Sequence, residues 1–102
     1  MQNLDIGNYI FYQQLMDLPF VEEIWLFGSR ARGDHDPRSD IDLAIYAPRA
    51  SDLEWSKILD IIDGADTLLK IDCIRLDRLK DLSAIKDAIL TQGIKLYERL
   101  QN

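Results

Sequence analysis

Apolar positions along this 102-residue chain switch repeatedly between the 3.6-residue period of a helix and the two-residue period of a strand. Residues 5–17, DIGNYIFYQQLMD, carry a helical pattern that Pro19 prevents from continuing. VEEIWLFG, residues 21–28, alternates and then becomes continuously apolar, which predicts a strand ending at Gly28. Residues 29–40 connect it to the next strand, and a short helix is expected from Ser29, a good N-cap residue. IDLAIYA, residues 41–47, predicts the second strand, closed by Pro48. Ser51 and Glu54 have the spacing of a capping box and open a helix. Trp55, Ile58, Leu59 and Ile62 form its apolar face, and Gly64 is placed to end it. LLKIDCIRL, residues 68–76, alternates like a third strand. Leu82, Ile85 and Ile89 mark a last helix ending near Gly93, and GIKLYE can add a short edge strand. This order predicts an α+β fold: a small mixed sheet of three to four strands flanked by helices. No repeat, low-complexity tract or linker divides the chain, so one domain over residues 1–102 is expected.

Composition narrows the function classes. A hydrophobic share of 47% excludes a disordered chain. No apolar run approaches the roughly 18 residues needed to cross a bilayer, and the N-terminus lacks the charged-then-apolar pattern of a signal peptide. With Cys73 as the only cysteine, no internal disulfide is possible, which fits a reducing cytoplasm. The net charge of −6 argues against direct affinity for a nucleic-acid backbone and favours a small ligand or a protein partner.

The chemistry concentrates in FGSRARGDHDPRSDIDLAI, residues 27–45. Charged residues are depleted in strands, yet Asp40 and Asp42 stand one residue apart at the start of one. At i and i+2 of a strand they face the same way, about 6.5 Å apart, while Ile41 and Leu43 point into the core. Two carboxylates so close repel unless a cation compensates, and hard oxygen donors suit Mg²⁺ or Mn²⁺. Asp72 interrupts the third strand in the same manner, so three carboxylates can converge if the strands are neighbours. Such a set can hold two cations roughly 3.5–4 Å apart for an in-line phosphoryl displacement, with Asp72 also able to act as general base. Gly28 lets a backbone approach a ligand, and amides at the Gly28–Ser29 turn with the Ser29 hydroxyl can bind phosphate oxygens. Arg30 and Arg32 can add charge-assisted contacts.

Gly28-Ser29, ten residues, then Asp40-Ile41-Asp42 resembles the signature of the DNA polymerase β-like nucleotidyltransferases, and the short GSRARG and SDIDLAI context resembles its minimal branch. The resemblance implies phosphate binding at Gly28 and Ser29, with Asp40, Asp42 and Asp72 as metal-binding catalytic carboxylates. It also implies ATP or another NTP as substrate with Mg²⁺ or Mn²⁺, and a helical HEPN-type partner. In some such pairs the nucleotidyltransferase is the antitoxin and transfers AMP to a tyrosine of its partner. The alternatives are a binding-only subunit that acts by docking, and transfer to a nucleic-acid or small-molecule acceptor.

Each singled-out residue also has a plainer reading. Asp40 and Asp42 can be a solvated strand end, and Asp72 a surface carboxylate on an edge strand. Arg30 and Arg32 can pair with Asp34, Asp36 or Asp40 and only hold the loop. His35, the sole histidine, reads as solvated, and Cys73 as a buried structural thiol. Trp25 and Trp55 read as core or near-core. Tyr9–Tyr12, four consecutive large residues, wrap a helix, so one side must face away from the sheet and can dock a partner.

Overall fold

A computed structural model describes residues 6–34 and 36–100. Elements follow in the order α1 (Ile10–Met16), β1 (Glu23–Phe27), α2 (Ser29–Arg32), β2 (Ile41–Tyr46), α3 (Asp52–Asp63), β3 (Ile71–Arg75), a 3₁₀ turn (Leu76–Arg78), α4 (Ala84–Gln92) and β4 (Ile94–Glu98). The four strands form one mixed sheet in the order β3-β2-β1-β4. β1 pairs antiparallel with both β2 and β4, and β2 pairs parallel with β3. The expected final edge strand is therefore present, beside β1, with an irregularity between Ile24 and Trp25.

Pleating separates the two faces. Ile24, Leu26, Ile41, Leu43 and Ile45 are fully buried under Phe11 and Leu15 of α1 and Ile58 of α3. Trp55, Ile61, Ile62, Ile71 and Cys73 pack on this core from its margin. The opposite face is covered more thinly, by Ile89 of α4 and by Leu76, packed on Ala44 with Trp25, Phe27, Tyr46 and Ile74 at the edge. Cys73 lies on the main-core side, and burial pushes its thiol up to about 12.

Several boundaries differ from the sequence reading, each for a local reason. The first helix begins at Ile10, and Asp5 lies outside the described residues. Tyr9, the N-cap, is extended, and the amides of Ile10 and Phe11 donate to the Asp66 carboxylate at 2.9 and 3.0 Å. A cap supplied from elsewhere in the chain thus sets where this helix starts. Of the YIFY residues, Phe11 and Tyr12 are buried and Ile10 is exposed. The capping box at Ser51 and Glu54 is formed, with Ser51 N donating to Glu54 Oε1 and Glu54 N to Ser51 Oγ. On α3, Leu59 is 45% exposed and Ile61 packs on the core instead. The last helix starts at Ala84 because Ser83 caps it, accepting from Lys86 N. Leu82 is thereby left outside the helix and fully exposed.

A charged network locks the far end of β2 to β3. Arg75 Nε donates to Asp77 Oδ2 at 3.0 Å, and Nη2 donates to the carbonyls of Ala47 and Ala50 at 3.0 and 2.8 Å. Asp77 Oδ1 accepts from Ala47 N, and the Arg75 guanidinium stacks 5.1 Å from the Trp55 ring centre. Both side chains are over nine-tenths buried, 9% and 7% exposed, so losing one strands the other's charge. Asp77→Ala is expected to cost about 3–5 kcal/mol in urea unfolding. Glu98→Ala, which breaks the open Lys95–Glu98 pair, should change stability by no more than about 1 kcal/mol.

Candidate active site

The site forms where the ends of three neighbouring strands meet. In the β1–β2 ladder Phe27 stands opposite Asp42, so the chain reaches Gly28 beside that carboxylate. In the parallel β2–β3 ladder Asp42 stands opposite Asp72. The two residues are direct neighbours across this ladder, so the charge of Asp72 acts on Asp42. Asp42 is half-buried, and its pKa is raised first by that burial, then by the charges of Asp72 and Asp40 and the bond to Asp72. Arg30 opposes the rise. Lys70 Nζ stands 3.5 Å from Asp72 Oδ1, an open pair with side chains 70% and 44% exposed.

Gly28 is required by two constraints at once. Its φ of +74° lies where side-chain-bearing residues are strained. A β-carbon there would also overlap Asp42 Oδ2. Glycine therefore lets the turn and the carboxylate occupy adjoining space. The expected Ser29 cap is not formed: Gly28 is the N-cap, Ser29 is the first residue of α2, and no side chain caps that helix. The Ser29 hydroxyl is thus not committed to capping.

The two arginines face the connecting loop. Arg30 donates from Nε and Nη2 to the Ser39 carbonyl at 3.2 and 3.0 Å, and from Nη2 to the Pro37 carbonyl at 3.4 Å. Arg32 pairs with Asp34 at 3.2 Å, both well exposed. His35 lies outside the described residues.

The three carboxylates do not converge equally. Asp42 and Asp72 sit in strands and meet across the ladder, whereas Asp40 is exposed and precedes β2, so the pleat does not dictate its direction. Its charge still reaches Asp42. Among the described residues, no three of His, Cys, Asp and Glu stand grouped as a ready-made metal cage. The chemistry of the donors nevertheless fits a hard divalent cation: a half-buried carboxyl pair with a third carboxylate within charge reach, all oxygen. Lys70 was missed by sequence reasoning, although its place two residues before Asp72 was a usable signal. The grip of Arg30 on a carbonyl left no trace in the pattern. A shallow cleft lined by Pro19, Phe20, Arg49 and Glu54 includes none of these residues.

Comparisons with known proteins agree with the class this architecture defines. The family model "Polymerase beta, Nucleotidyltransferase" matches residues 12–102, and the chain belongs to that family. No curated protein sequence matches it. Among solved structures, a chain of a toxin–antitoxin complex with AMP-PNP is 24% identical, aligned over 87% of this chain and 72% of its own, with a TM-score of 0.60. A variant of the MntA–HpeT toxin–antitoxin pair aligns over 97% of this chain and 73% of its own, at 24% identity and a TM-score of 0.61. The complex of tri-AMPylated Shewanella oneidensis HEPN toxin with MNT antitoxin gives 23% identity over 97% and 74%, with a TM-score of 0.57. At these identities the likeness establishes a shared fold. No helix of the described residues is long and apolar enough to cross a membrane.

Two outcomes follow from the geometry. Because the Asp42 pKa is raised, the folded state holds its proton more tightly than the unfolded chain, so this group lowers stability as pH rises through its folded pKa. Asp42→Asn should raise the thermal midpoint of metal-free protein at pH 7. That gain should vanish below the ordinary carboxylate value of 3.8, and scans at both pH values with EDTA check it. Gly28→Ala should lose about 1–3 kcal/mol from backbone strain, with more from the clash, measured by the same scans.

Proposed function

We propose that this chain is a metal-dependent nucleotidyltransferase that moves NMP, preferentially AMP from ATP, to a hydroxyl on a HEPN-type partner protein, acting as the antitoxin of the pair. The observation that carries the reading is the register placing Asp42 opposite Asp72 with the Gly28 turn against Asp42. Family membership supports nucleotidyl transfer, and one of the similar structures, a complex of MNT antitoxin with AMPylated HEPN toxin, supports the acceptor class.

In this reading the Gly28 and Ser29 amides and the Ser29 hydroxyl hold the triphosphate. Arg32 exchanges its open pair with Asp34, worth at most about 1 kcal/mol, for a phosphate oxygen. Asp40, Asp42 and Asp72 would hold Mg²⁺ or Mn²⁺, which when bound supplies charge neutralisation at the phosphates and acidifies the attacking hydroxyl. Asp72, 44% exposed and at the edge of the sheet, is open to the acceptor. The acceptor oxygen attacks the α-phosphorus; a new oxygen–phosphorus bond forms as the bond to the β-phosphate bridging oxygen breaks. Pyrophosphate leaves, and the hydroxyl proton passes to Asp72. Positioning and electrostatics account for most of the acceleration.

Incubation with α-labelled ATP, Mg²⁺ and the product of the neighbouring gene should label that product and release pyrophosphate. Asp42→Asn and Asp72→Asn should each cut the rate at least about 10²–10⁴-fold. Undiminished neutralisation of the partner by both variants would instead favour docking without chemistry.

A further inference from the structure

Of the three carboxylates, Asp40 alone has no strand of its own, so something else must fix it. It follows a loop whose residues bond among themselves. Asp36 N donates to Ser39 Oγ at 3.1 Å, Ser39 N to Asp36 O at 3.1 Å, and Arg38 N to Asp36 Oδ1 at 2.7 Å. These contacts shape the turn without tying it to the rest of the fold. Arg30 is the tie: its guanidinium reaches nine residues along the chain to the Ser39 carbonyl with two donors and to Pro37 with one. The Ser39 carbonyl belongs to the same planar peptide as the Asp40 nitrogen, so holding that oxygen orients the bond from which the Asp40 α-carbon hangs. On the other side of Asp40, Ile41 N donates to Lys70 O at 2.9 Å. Asp40 is therefore suspended between two anchored peptides, one pinned by the sheet and one by Arg30.

We infer that Arg30 is a positioning residue that sets Asp40 for cation binding, rather than a ligand of the triphosphate. The inference rests on the reading of the three aspartates as metal ligands. The planar fork suits this task because it bonds one carbonyl through two nitrogens at once, which a lysine ammonium on a flexible stem does not reproduce. The sign of the effect separates this role from charge alone. Arg30 is a cation within charge reach of Asp42, so deleting it should tighten binding of a second cation if only electrostatics mattered. Loss of positioning predicts the reverse.

The test is calorimetric titration of the full chain with MnCl₂, without nucleotide. Arg30→Ala should weaken Mn²⁺ binding by about tenfold, the scale of lost supporting contacts around a metal site. Arg30→Lys, which keeps the charge and guards against misfolding of the alanine variant, should still lose several-fold. In an Asp40→Asn background, Arg30→Ala should cause no further loss, since the residue it positions is already disabled. Equal or tighter Mn²⁺ binding by Arg30→Ala, full retention by Arg30→Lys, or losses that simply add to those of Asp40→Asn would overturn the inference while leaving the metal reading intact. A wild-type protein that binds no Mn²⁺ would overturn both.

Discussion

The parallel register of β2 on β3 is the constraint on which the rest of the structure depends. It sets two carboxylates opposite one another, an arrangement that repels at a cost of about 1–4 kcal/mol at surface-like dielectric. The same register keeps Ile41, Leu43 and Ile45 fully buried on the other face, each contributing roughly 1.5–3 kcal/mol. Slipping β2 by one residue would turn those three toward the thin face and bury Asp42 in the main core. The apolar term is larger, so core packing holds the acidic pair together against its own repulsion. Stability on one face is thereby converted into a strained charge arrangement on the other.

The second face complements this by being covered sparsely. Its small cluster is centred on Ala44, one pleat further along β2 than Asp42, and relies on Ile89 and Leu76 as its buried partners. Cover thins toward the carboxylates, leaving Asp42 half-buried opposite Phe27 of this cluster. Asp72 lies at the sheet edge and remains nearly half exposed, which on the proposed reading leaves it open to a large acceptor. The Arg75–Asp77 network stiffens the opposite ends of the same two strands. The site thus sits at the open end of a pair of strands clamped at the other.

Most of this was legible from residue order. Alternation identified β1 and β3, an apolar segment closed by Pro48 gave β2, and GIKLYE offered β4, while the S-x-x-E box identified the start of α3, because these signals are local. The Gly28-Ser29 turn could be read from motif spacing, whereas the meeting of Asp42 with Asp72 was expected only if their strands were neighbours, which the β2–β3 ladder supplies. What escaped were contacts between segments distant in sequence. Asp66 caps α1 across 55 residues, which no pattern within residues 5–17 can announce. Leu82 looked like the first apolar residue of α4, but the Ser83 hydroxyl caps the helix so that it begins only at Ala84. Treating Asp40 as a strand residue extended the pleat one position too far; once outside the ladder, its direction depends on a hydrogen bond from Arg30 that composition does not reveal.

The overall charge of −6 then bears on how a nucleotide can be held at all. A triphosphate approaching Asp42 and Asp72 meets charges of its own sign, with Lys70, Arg30 and Arg32 as the nearby cations described at the site. Lys70 and Arg32 already face carboxylates, and Arg30 is engaged with carbonyls. Their positive charge largely offsets the loop and strand aspartates and leaves little to attract an anion. On the proposed reading the phosphates are therefore gripped mainly by the amides and hydroxyl of the Gly28–Ser29 turn, with Arg32 as the one side-chain cation released to them, and most of their charge is balanced by divalent cations. The positive φ at Gly28 matters for that reason: it brings backbone donors beside Asp42, where a longer residue would push the two apart. On that reading the register of β2 on β3, which sets the carboxylate pair beside the Gly28 turn, bears on nucleotide binding as well as on folding.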